Sequence, residues 1–475
     1  MATINTNISS LVAQQAFATN TQNLNKSLQR LSTGLKINSG ADDPAGLIAS
    51  QALQAQQTGI NAAISNANQA TNVIGTAEGG LNEVSSLLNQ LQGLVTQSAN
   101  TGALSSGEIA ANQLQVDSIL STVNRISNST SFQGKNLLDG SLSYTLSSAG
   151  TSAFATIAVN AANLPSGKAE AVVVQVTSSA TQGTVAYAGG ATGLGASSVT
   201  LQIAGATGSQ QLSFAGSTKL SAIAASINNI TVDTGVVASA NGNNLSFKAQ
   251  NYGSSQFVSV STVNSNSSYT ITGGTSGKAF GKDAGVDVNG AAATVSGKQV
   301  TYRDNNLDVS FTLSSALNKD GTKTFGITGG GANFSLGATV NATGVASIGI
   351  QSVATSALGD ATTGYLSSLG TGGTNALTSK DLTTAQTIVS ESINQVSTLR
   401  GRLGAFQEYT LGATISNLGV AYENISAANS NIADTNFAQE TSNLTREQIL
   451  QQASTTVLTA ANSAPQAALT LLQHA

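Results

Sequence analysis

LSTGLKINSGADDPAGLIAS, residues 31–50, interrupts two long segments of helical periodicity with three glycines, two aspartates and a proline. Gly34 and Gly40 permit left-handed backbone conformations in this stretch. Asp43 is placed to cap the helix that follows, and Pro44 falls at its first position, where a missing N–H costs nothing. The stretch therefore predicts a joint that links two rods with a defined bend.

A pair of carboxylates beside glycines also raises the possibility of a metal or acid–base site. Asp42 and Asp43 are adjacent, however, and adjacent residues point in different directions at a helix start. The chain has no cysteine, and its one histidine is His474, which excludes thiolate nucleophiles, CxxC zinc sites and His-based triads. We therefore expect no catalytic residue, no metal and no cofactor, and we interpret Asp42 as favourable charge at the positive end of the helix dipole.

The N-terminal part of the chain has the apolar spacing of a coiled coil. Apolar residues recur every three, four or seven positions, and the seam includes Leu24, Leu28 and Leu31. After the joint the pattern returns over residues 60–95, which would form a rod about 50 Å long at 1.5 Å per residue. A small globular domain rarely needs such a rod.

The C-terminal part repeats this pattern over residues 385–432. Its seam shifts by one residue between Phe406 and Leu411, and a last helical segment contributes Leu450 and Val457. Long helices at both ends that share one type of seam are expected to pair with each other.

The surfaces of these helices are poor in charge. Charged residues make up 8% of the chain, against about 25% in an ordinary soluble domain. Asn, Gln, Ser and Thr occupy the faces where Glu–Lys pairs usually support an exposed helix. We expect these helices to be marginally stable alone, to pack against further copies of the chain, and to be disordered at their extreme ends before assembly. An intramolecular bundle that stays monomeric is the alternative.

Several classes of partner do not fit the composition. The formal net charge is −4, and scattered Lys and Arg residues make no basic footprint for nucleic acid. No apolar run approaches the length of a membrane span, and the first residues lack the pattern of a Sec-type signal. Neither nucleic acid nor a membrane is therefore expected as a partner.

The middle of the chain has another character. Between about residues 142 and 373, glycine-punctuated runs of β-branched residues such as EAVVVQVTSS and LDVSFTL predict strands and hairpin turns. One short helix, LSAIAASINNI at 220–230, interrupts them. The predicted fold class is α+β multidomain, with long coiled-coil-like helices from both termini in a bundle and one or more inserted β-rich outer domains.

Several motifs together resemble bacterial flagellins. Residues 31–50 resemble the characteristic N-terminal segment of that family, although Lys36 stands where the family has arginine. The other similar stretches are TQSANTG (96–102), TSFQGKNLLDG (130–140), LRGRLGAFQ (399–407) and the tail SNIADTNFAQETSNLTREQILQQASTTVLTAANSAPQAALTLL (430–472). Residues 212–260 also resemble a β-β-α-β module of flagellin outer domains. The similar helical parts cover roughly residues 1–140 and 380–475.

The resemblance implies a structural subunit that self-assembles into the extracellular flagellar filament for motility and is exported by the flagellar type III apparatus. It also implies an export chaperone, the filament cap and hook-associated proteins as partners. The implied domains are a polymerisation segment (1–44 with 435–475), a helical core (45–141 and 376–434) and a β-rich outer region (142–375) with the β-β-α-β module near 199–260.

Assembly is expected to depend on packing residues in two groups. The joint group contains Gly34, Leu35, Ile37, Asn38, Asp42, Asp43 and Pro44, with Arg400, Leu403 and Gly404 expected opposite them. The terminal seam contains Leu24, Leu28, Leu31, Leu450 and Val457.

One departure from the family bears on host recognition. Flagellins detected by the vertebrate innate receptor typically carry Arg and Glu on a helix face where this chain has Gln90, Gln92 and Gly93. The departure predicts weak activation of that receptor.

Two alternatives stay open at this point. A hook–filament junction protein shares the helical ends and a DDP-like turn. A surface adhesin or lectin could place its activity in the β-rich middle.

Overall fold

The structure is a computed structural model that describes residues 6–100, 102–147, 153–164, 169–188, 198–263, 271–275, 277–304, 306–319, 321–379 and 382–473. His474 lies outside these residues. The described chain forms two compact units. The first contains the described residues within Met1–Gln69, Ser335–Val340 and Leu411–Ala475, and the second contains those within Ala70–Phe334 and Asn341–Thr410.

Both ends of the chain are helical, as the apolar periodicity predicts. The helices are α1 (Ile8–Thr33), α2 (Pro44–Ser98), α3 (Ser106–Ser129), α4 (Leu220–Asn228), α5 (Thr231–Thr234), α6 (Thr383–Ala405), α7 (Ala413–Ala433) and α8 (Phe437–Gln473). Helix α2 has 55 residues, so the rod is longer than the sequence pattern alone required.

The start of α2 confirms the predicted cap. Pro44 is its first residue, and the Gly46 N–H donates to Asp43 Oδ1 at 2.9 Å. Gly40 does not use the left-handed conformation that glycine permits, because its φ is not positive. The Asp42 N–H donates to the Ser39 carbonyl at 3.0 Å, and a tight turn of this kind accepts negative φ at both central residues.

A π-helix at Phe406–Gly412 connects α6 to α7. A π-helical turn contains more residues than an α-helical turn, because its hydrogen bonds reach one residue further. The inserted turn thus accounts for the one-residue shift of the seam between Phe406 and Leu411. Leu411 itself is buried.

The inserted middle is built from antiparallel strands, which confirms the predicted fold class. The strands are β1 (Ser131–Phe132), β2 (Lys135–Asn136), β3 (Tyr144–Leu146), β4 (Phe154–Ala162), β5 (Glu170–Ser178), β6 (Thr184–Ala188), β7 (Val199–Gly205), β8 (Ser209–Phe214), β9 (Val236–Asn241), β10 (Asn244–Ala249), β11 (Phe257–Thr262), β12 (Ile271–Thr272), β13 (Lys278–Phe280), β14 (Gly285–Val288), β15 (Ala291–Ala292), β16 (Thr294–Ser296), β17 (Gln299–Arg303), β18 (Leu307–Leu313), β19 (Gly321–Gly330), β20 (Ala332–Ser335), β21 (Val345–Ile348), β22 (Gly359–Asp360) and β23 (Gly364–Tyr365).

Two apolar cores lie within this β-rich region. The first is enclosed by the sheets β15-β14-β5-β19-β3 and β16-β17-β18-β4 and is centred on Phe154, Phe311 and Phe325. The second lies between the sheets β12-β6-β10-β9 and β13-β11-β7-β8 and the helix α4, with Phe247 and Ile223 fully buried. Along β7 and β18, fully buried positions alternate with less buried ones, which matches the period of two expected for strands with one face in the core.

Within the described ranges, no helix combines the length and the apolar character that crossing a membrane requires.

Candidate assembly site

The joint begins where α1 ends. Gly34 adopts a left-handed conformation with φ of 73°, and its N–H donates to the Arg30 carbonyl at 2.9 Å. The Lys36 N–H donates to the Ala433 carbonyl at 2.7 Å, and the Thr435 N–H donates to the Gly34 carbonyl at 2.9 Å. The joint is therefore attached by backbone hydrogen bonds to the link between α7 and α8.

Side chains within the joint converge on Asp42. Its Oδ1 lies 2.8 Å from Lys26 Nζ. Its Oδ2 accepts from the Asn38 N–H at 3.2 Å and from the Ser39 N–H and hydroxyl, both at 3.0 Å. The hydrogen bond from Lys26, followed by those from Ser39 and Asn38, holds the pKa of Asp42 well below its usual range. Asp42 thus ties α1 to the turn, a role that sequence reasoning missed because Lys26 is 16 positions away.

The first turn of α2 is tightly packed around Gly46. A Cβ at this position would lie 2.5 Å from Asp43 Oδ2 and 2.6 Å from Ile37 Cδ1. Ile37 is buried at 6% exposure, so it has little room to yield. Sequence reasoning did not single out Gly46, although a glycine inside the first turn of a long helix is a signal of close approach.

The remaining joint residues are placed as follows. Asn38 Nδ2 donates to the Leu35 carbonyl at 2.9 Å. Leu35 forms an antiparallel bridge with Asp434 and is 38% exposed. On α2, the Ser50 hydroxyl donates to Asn429 Oδ1 of α7 at 2.7 Å, which anchors the helix after the joint.

Arg400, Leu403 and Gly404 belong to the second unit. Arg400 Nε donates to Glu78 Oε1 at 2.7 Å, and Leu403 is fully buried. Gly404 is exposed, with no atom within 4 Å of the position a Cβ would take. The hydrogen bond between Arg400 and Glu78 therefore lies within the second unit.

Helices α1 and α8 form an antiparallel pair. The partners run in opposite directions along the chain, from Asn7 with Ala461 and Ser10 with Asn462, through Asn20 with Ser454 and Thr21 with Gln451, to Arg30 with Glu440. These side-chain links are mostly between neutral polar groups. In the Arg30–Glu440 pair the charged atoms lie 3.8 Å apart.

The interior of this helix pair contains small and polar side chains. The buried residues of α1 are Ser10, Ala13 and Ser27, and Glu440 and Ser454 are buried on α8.

The predicted seam residues lie mostly toward solvent. Leu24 and Leu31 are half-buried, whereas Leu28 is 47% exposed, Leu450 40% and Val457 58%. Their apolar surface is therefore only partly used within one chain.

The described residues contain no group of three or more His, Asp or Glu side chains that could hold a metal ion. What the arrangement offers is an apolar surface on a weakly buried helix pair. That chemistry suits association between proteins.

Comparisons with known proteins agree with a role in association between proteins. Residues 4–143 match the model of the bacterial flagellin N-terminal helical region, and residues 386–472 match that of the C-terminal helical region. The chain is 33% identical to B-type flagellin of Pseudomonas aeruginosa over 537 aligned positions, and 29% identical to polar flagellin F of Vibrio parahaemolyticus over 476. Each alignment covers 99% of both chains.

Solved structures give a weaker likeness. Hook-associated protein 3 of Legionella pneumophila is 13% identical, with coverage of 84% of this chain and 99% of that one and a TM-score of 0.26. At this TM-score the likeness carries no argument.

Proposed function

The chain belongs to the bacterial flagellin family, and from that premise we propose that α1, α8 and the joint form the surface through which its copies polymerise. It is a structural subunit of the extracellular flagellar filament. The relatives named flagellin favour this function over a hook–filament junction protein or an adhesin.

The observation that carries the proposal is the outward position of apolar side chains on α1 and α8. The large apolar side chains left more than 35% exposed on this pair are Ile8, Leu11, Val12, Leu28, Phe437, Ile449, Leu450 and Val457. The faces between the two helices are closed by serine, alanine and asparagine instead. Identical chains packed side by side would remove this apolar surface from water, at about 25 cal/mol for each Å² buried.

The test is seeded polymerisation of the purified chain, followed by electron microscopy. We expect long filaments from the parent chain. The double variant Leu28→Ser/Val457→Ser should elongate at least tenfold more slowly, while its helix content in solution stays that of the parent. Gln29→Ser, at an exposed polar position of α1, is the matched control and should elongate normally. Normal elongation of the double variant would contradict the proposal.

We further propose the domain division that the sequence suggests. In it, residues 1–44 and 435–475 polymerise, 45–141 and 376–434 form the helical core, and 142–375 face outward with the β-β-α-β module near 199–260. The termini are disordered until they assemble. Limited proteolysis of the monomer should then cut before about residue 45 and after about residue 430 and leave the centre intact.

The finer partners are proposals drawn from family membership. We propose export through the flagellar type III apparatus, with a chaperone before assembly and with the filament cap and hook-associated proteins at the filament ends. In cells that lack the export apparatus, the chain should remain inside the cell. Secretion that continues at the parent level would contradict this route.

Weak activation of the vertebrate innate receptor is a separate proposal. Gln90 and Gly93 are exposed on α2 and Gln92 is half-buried, so this face presents no charged group at these positions. A cell reporter should respond weakly to the purified monomer and more strongly to Gln90→Arg. A full-strength response to the parent monomer would contradict the proposal.

A further inference from the structure

Among the polar links across the α1–α8 interface, three have α1 residues that are evenly spaced. Ser10 Oγ donates to Asn462 Oδ1 at 2.6 Å, Asn20 Nδ2 donates to Ser454 Oγ, and Arg30 lies 3.8 Å from Glu440. The three α1 residues are ten positions apart, so the links span about 30 Å of helix at 1.5 Å per residue. A regular spacing along the whole contact makes the links sensitive to a sliding movement of one helix on the other.

These links lie at the interface. Ser10 is 6% exposed, Ser454 8% and Glu440 6%, and Asn20 is half-buried. Polar groups at such positions contribute less to stability than apolar ones of similar size, and an Asn at the seam of a coiled coil is the known case in which polarity specifies alignment at a cost in stability.

We propose that Ser10–Asn462, Asn20–Ser454 and Arg30–Glu440 set the register of α1 against α8, and that Asn20 is the main determinant. This inference rests on the proposed function, because the register decides where the exposed apolar residues of the pair meet the neighbouring copies.

The sequence of α8 explains why Asn20 favours the observed register over registers shifted by one helical turn. A slide of one helical turn, four residues in either direction, brings Leu450 or Leu458 to the place of Ser454. In the observed register Asn20 Nδ2 donates both to Ser454 Oγ and to the Leu450 carbonyl. After the slide an apolar side chain replaces the hydroxyl, so one of the two N–H groups of the amide loses its acceptor, which is unfavourable at an interface. A leucine at position 20 would instead pack against either residue and would no longer oppose the slide.

The absence of cysteine from the chain makes the register directly measurable by disulfide formation. Thr21 Oγ1 lies 3.4 Å from Gln451 Nε2 across the pair, so positions 21 and 451 face each other and Thr21→Cys/Gln451→Cys reports the observed register. Thr21→Cys/Thr455→Cys and Thr21→Cys/Glu447→Cys report slides of one turn in the two directions. Positions 455 and 447 each lie about 6 Å along α8 from position 451, which takes the two Cα atoms beyond the separation of about 7 Å that a disulfide tolerates.

Each reporter is placed in the parent chain, in Asn20→Leu and in Asn23→Leu, which makes the same substitution at an exposed position of α1. Mild oxidation is carried out on filaments, and intrachain products are those that migrate at the monomer mass. We expect the first reporter alone to cross-link in the parent and in Asn23→Leu. In Asn20→Leu, the yield of a shifted reporter should rise at least fivefold.

Cross-linking of Asn20→Leu only in the observed register would overturn the proposal. If Asn20→Leu forms no filaments alone, the reporters are read in filaments that it forms with an excess of the parent chain, and loss of the first product without gain of a shifted one overturns the proposal equally. Failure of the parent chain to polymerise would count against the proposed function, whereas parent filaments that cross-link in a shifted register would count against the register proposal alone.

Discussion

The β-rich domain around Phe311 and the α1–α8 pair bury their surfaces in different ways. In the β-rich domain, Phe311 packs edge to face on Phe154 and Phe325, with ring centroids 5.1 and 6.4 Å apart, and strands enclose all three rings. In the helix pair, most of the buried residues are serine or alanine, whereas Leu28, Leu450 and Val457 are exposed. The first region buries its apolar surface within one chain, whereas the second leaves apolar surface exposed that the proposed assembly would bury. The difference separates folding from assembly along one sequence.

The largest expected effect tests that contrast. Phe311→Ala should lower the free energy of unfolding of the β-rich domain by about 3–5 kcal/mol, because it removes a fully buried ring and leaves a cavity. Leu28→Ala removes a side chain of α1 that is 47% exposed, and it should change the stability of the monomer by about 0.5 kcal/mol or less. Urea unfolding of both variants measures this. Equal losses would mean that the two regions are not built differently.

The second prediction concerns the joint, where Asp43 and Ile37 pack closely around Gly46. Gly46→Ala should destabilise the first turn of α2 by about 1–3 kcal/mol, because the new methyl group overlaps Asp43 and Ile37. Gly75→Ala is the control in the same helix, since nothing lies within 4 Å of its Cβ position; it should add up to about 1 kcal/mol through helix propensity. Hydrogen exchange of the α2 amides, together with thermal unfolding, distinguishes the two. A stabilising Gly46→Ala would show that the joint has room to relax.

The cap of α2 gives a smaller effect. Asp43→Ala removes the acceptor of the Gly46 N–H and should cost about 1 kcal/mol. Asp43→Asn keeps an acceptor at the same position and should lie within a few tenths of a kcal/mol of the parent. The comparison of the two variants by urea unfolding isolates the hydrogen bond from the shape of the side chain. If both variants lost the same amount, the charge of Asp43 would matter more than its hydrogen bond.

Part of this architecture could be read from the sequence, and the reason is local chemistry. The cap at Asp43 and Pro44, the left-handed Gly34, the helical ends and the strands all depend on residues within a few positions of one another. The one-residue shift of the apolar seam near Phe406 is also a local signal. It indicated an irregularity at the position of the π-helix, but it did not predict a π-helix.

Other features depend on partners that are distant in the chain. The link from Lys26 to Asp42, the approach of Ile37 to Gly46 and the pairing of Asn20 with Ser454 left no periodic signal. The apolar seam of Leu28 and Val457 was visible in the sequence, but its spacing could not distinguish burial within one chain from burial between copies. A heptad pattern indicates that one face of a helix is apolar, but it does not indicate whether that face packs against the same chain or against another copy.

The smallest expected effect is a pH dependence confined to the joint. Lys26, Ser39 and Asn38 lower the pKa of Asp42 in the folded chain below its ordinary value of 3.8. A lowered pKa in the folded state means that the charged form stabilises the joint above about pH 4, and that this stabilisation is lost as the pH falls toward the folded-state pKa. The gain is modest because Lys26 is 45% exposed and solvent screens the pair. Hydrogen exchange at residues 38–46 should therefore accelerate below about pH 4 in the parent beyond the intrinsic change. Asp42→Asn should already exchange faster at neutral pH and show no such step. A step of equal size in both chains would assign the titration to another carboxylate, and the Lys26–Asp42 pair would then add nothing measurable to the backbone hydrogen bonds and packing that hold the joint.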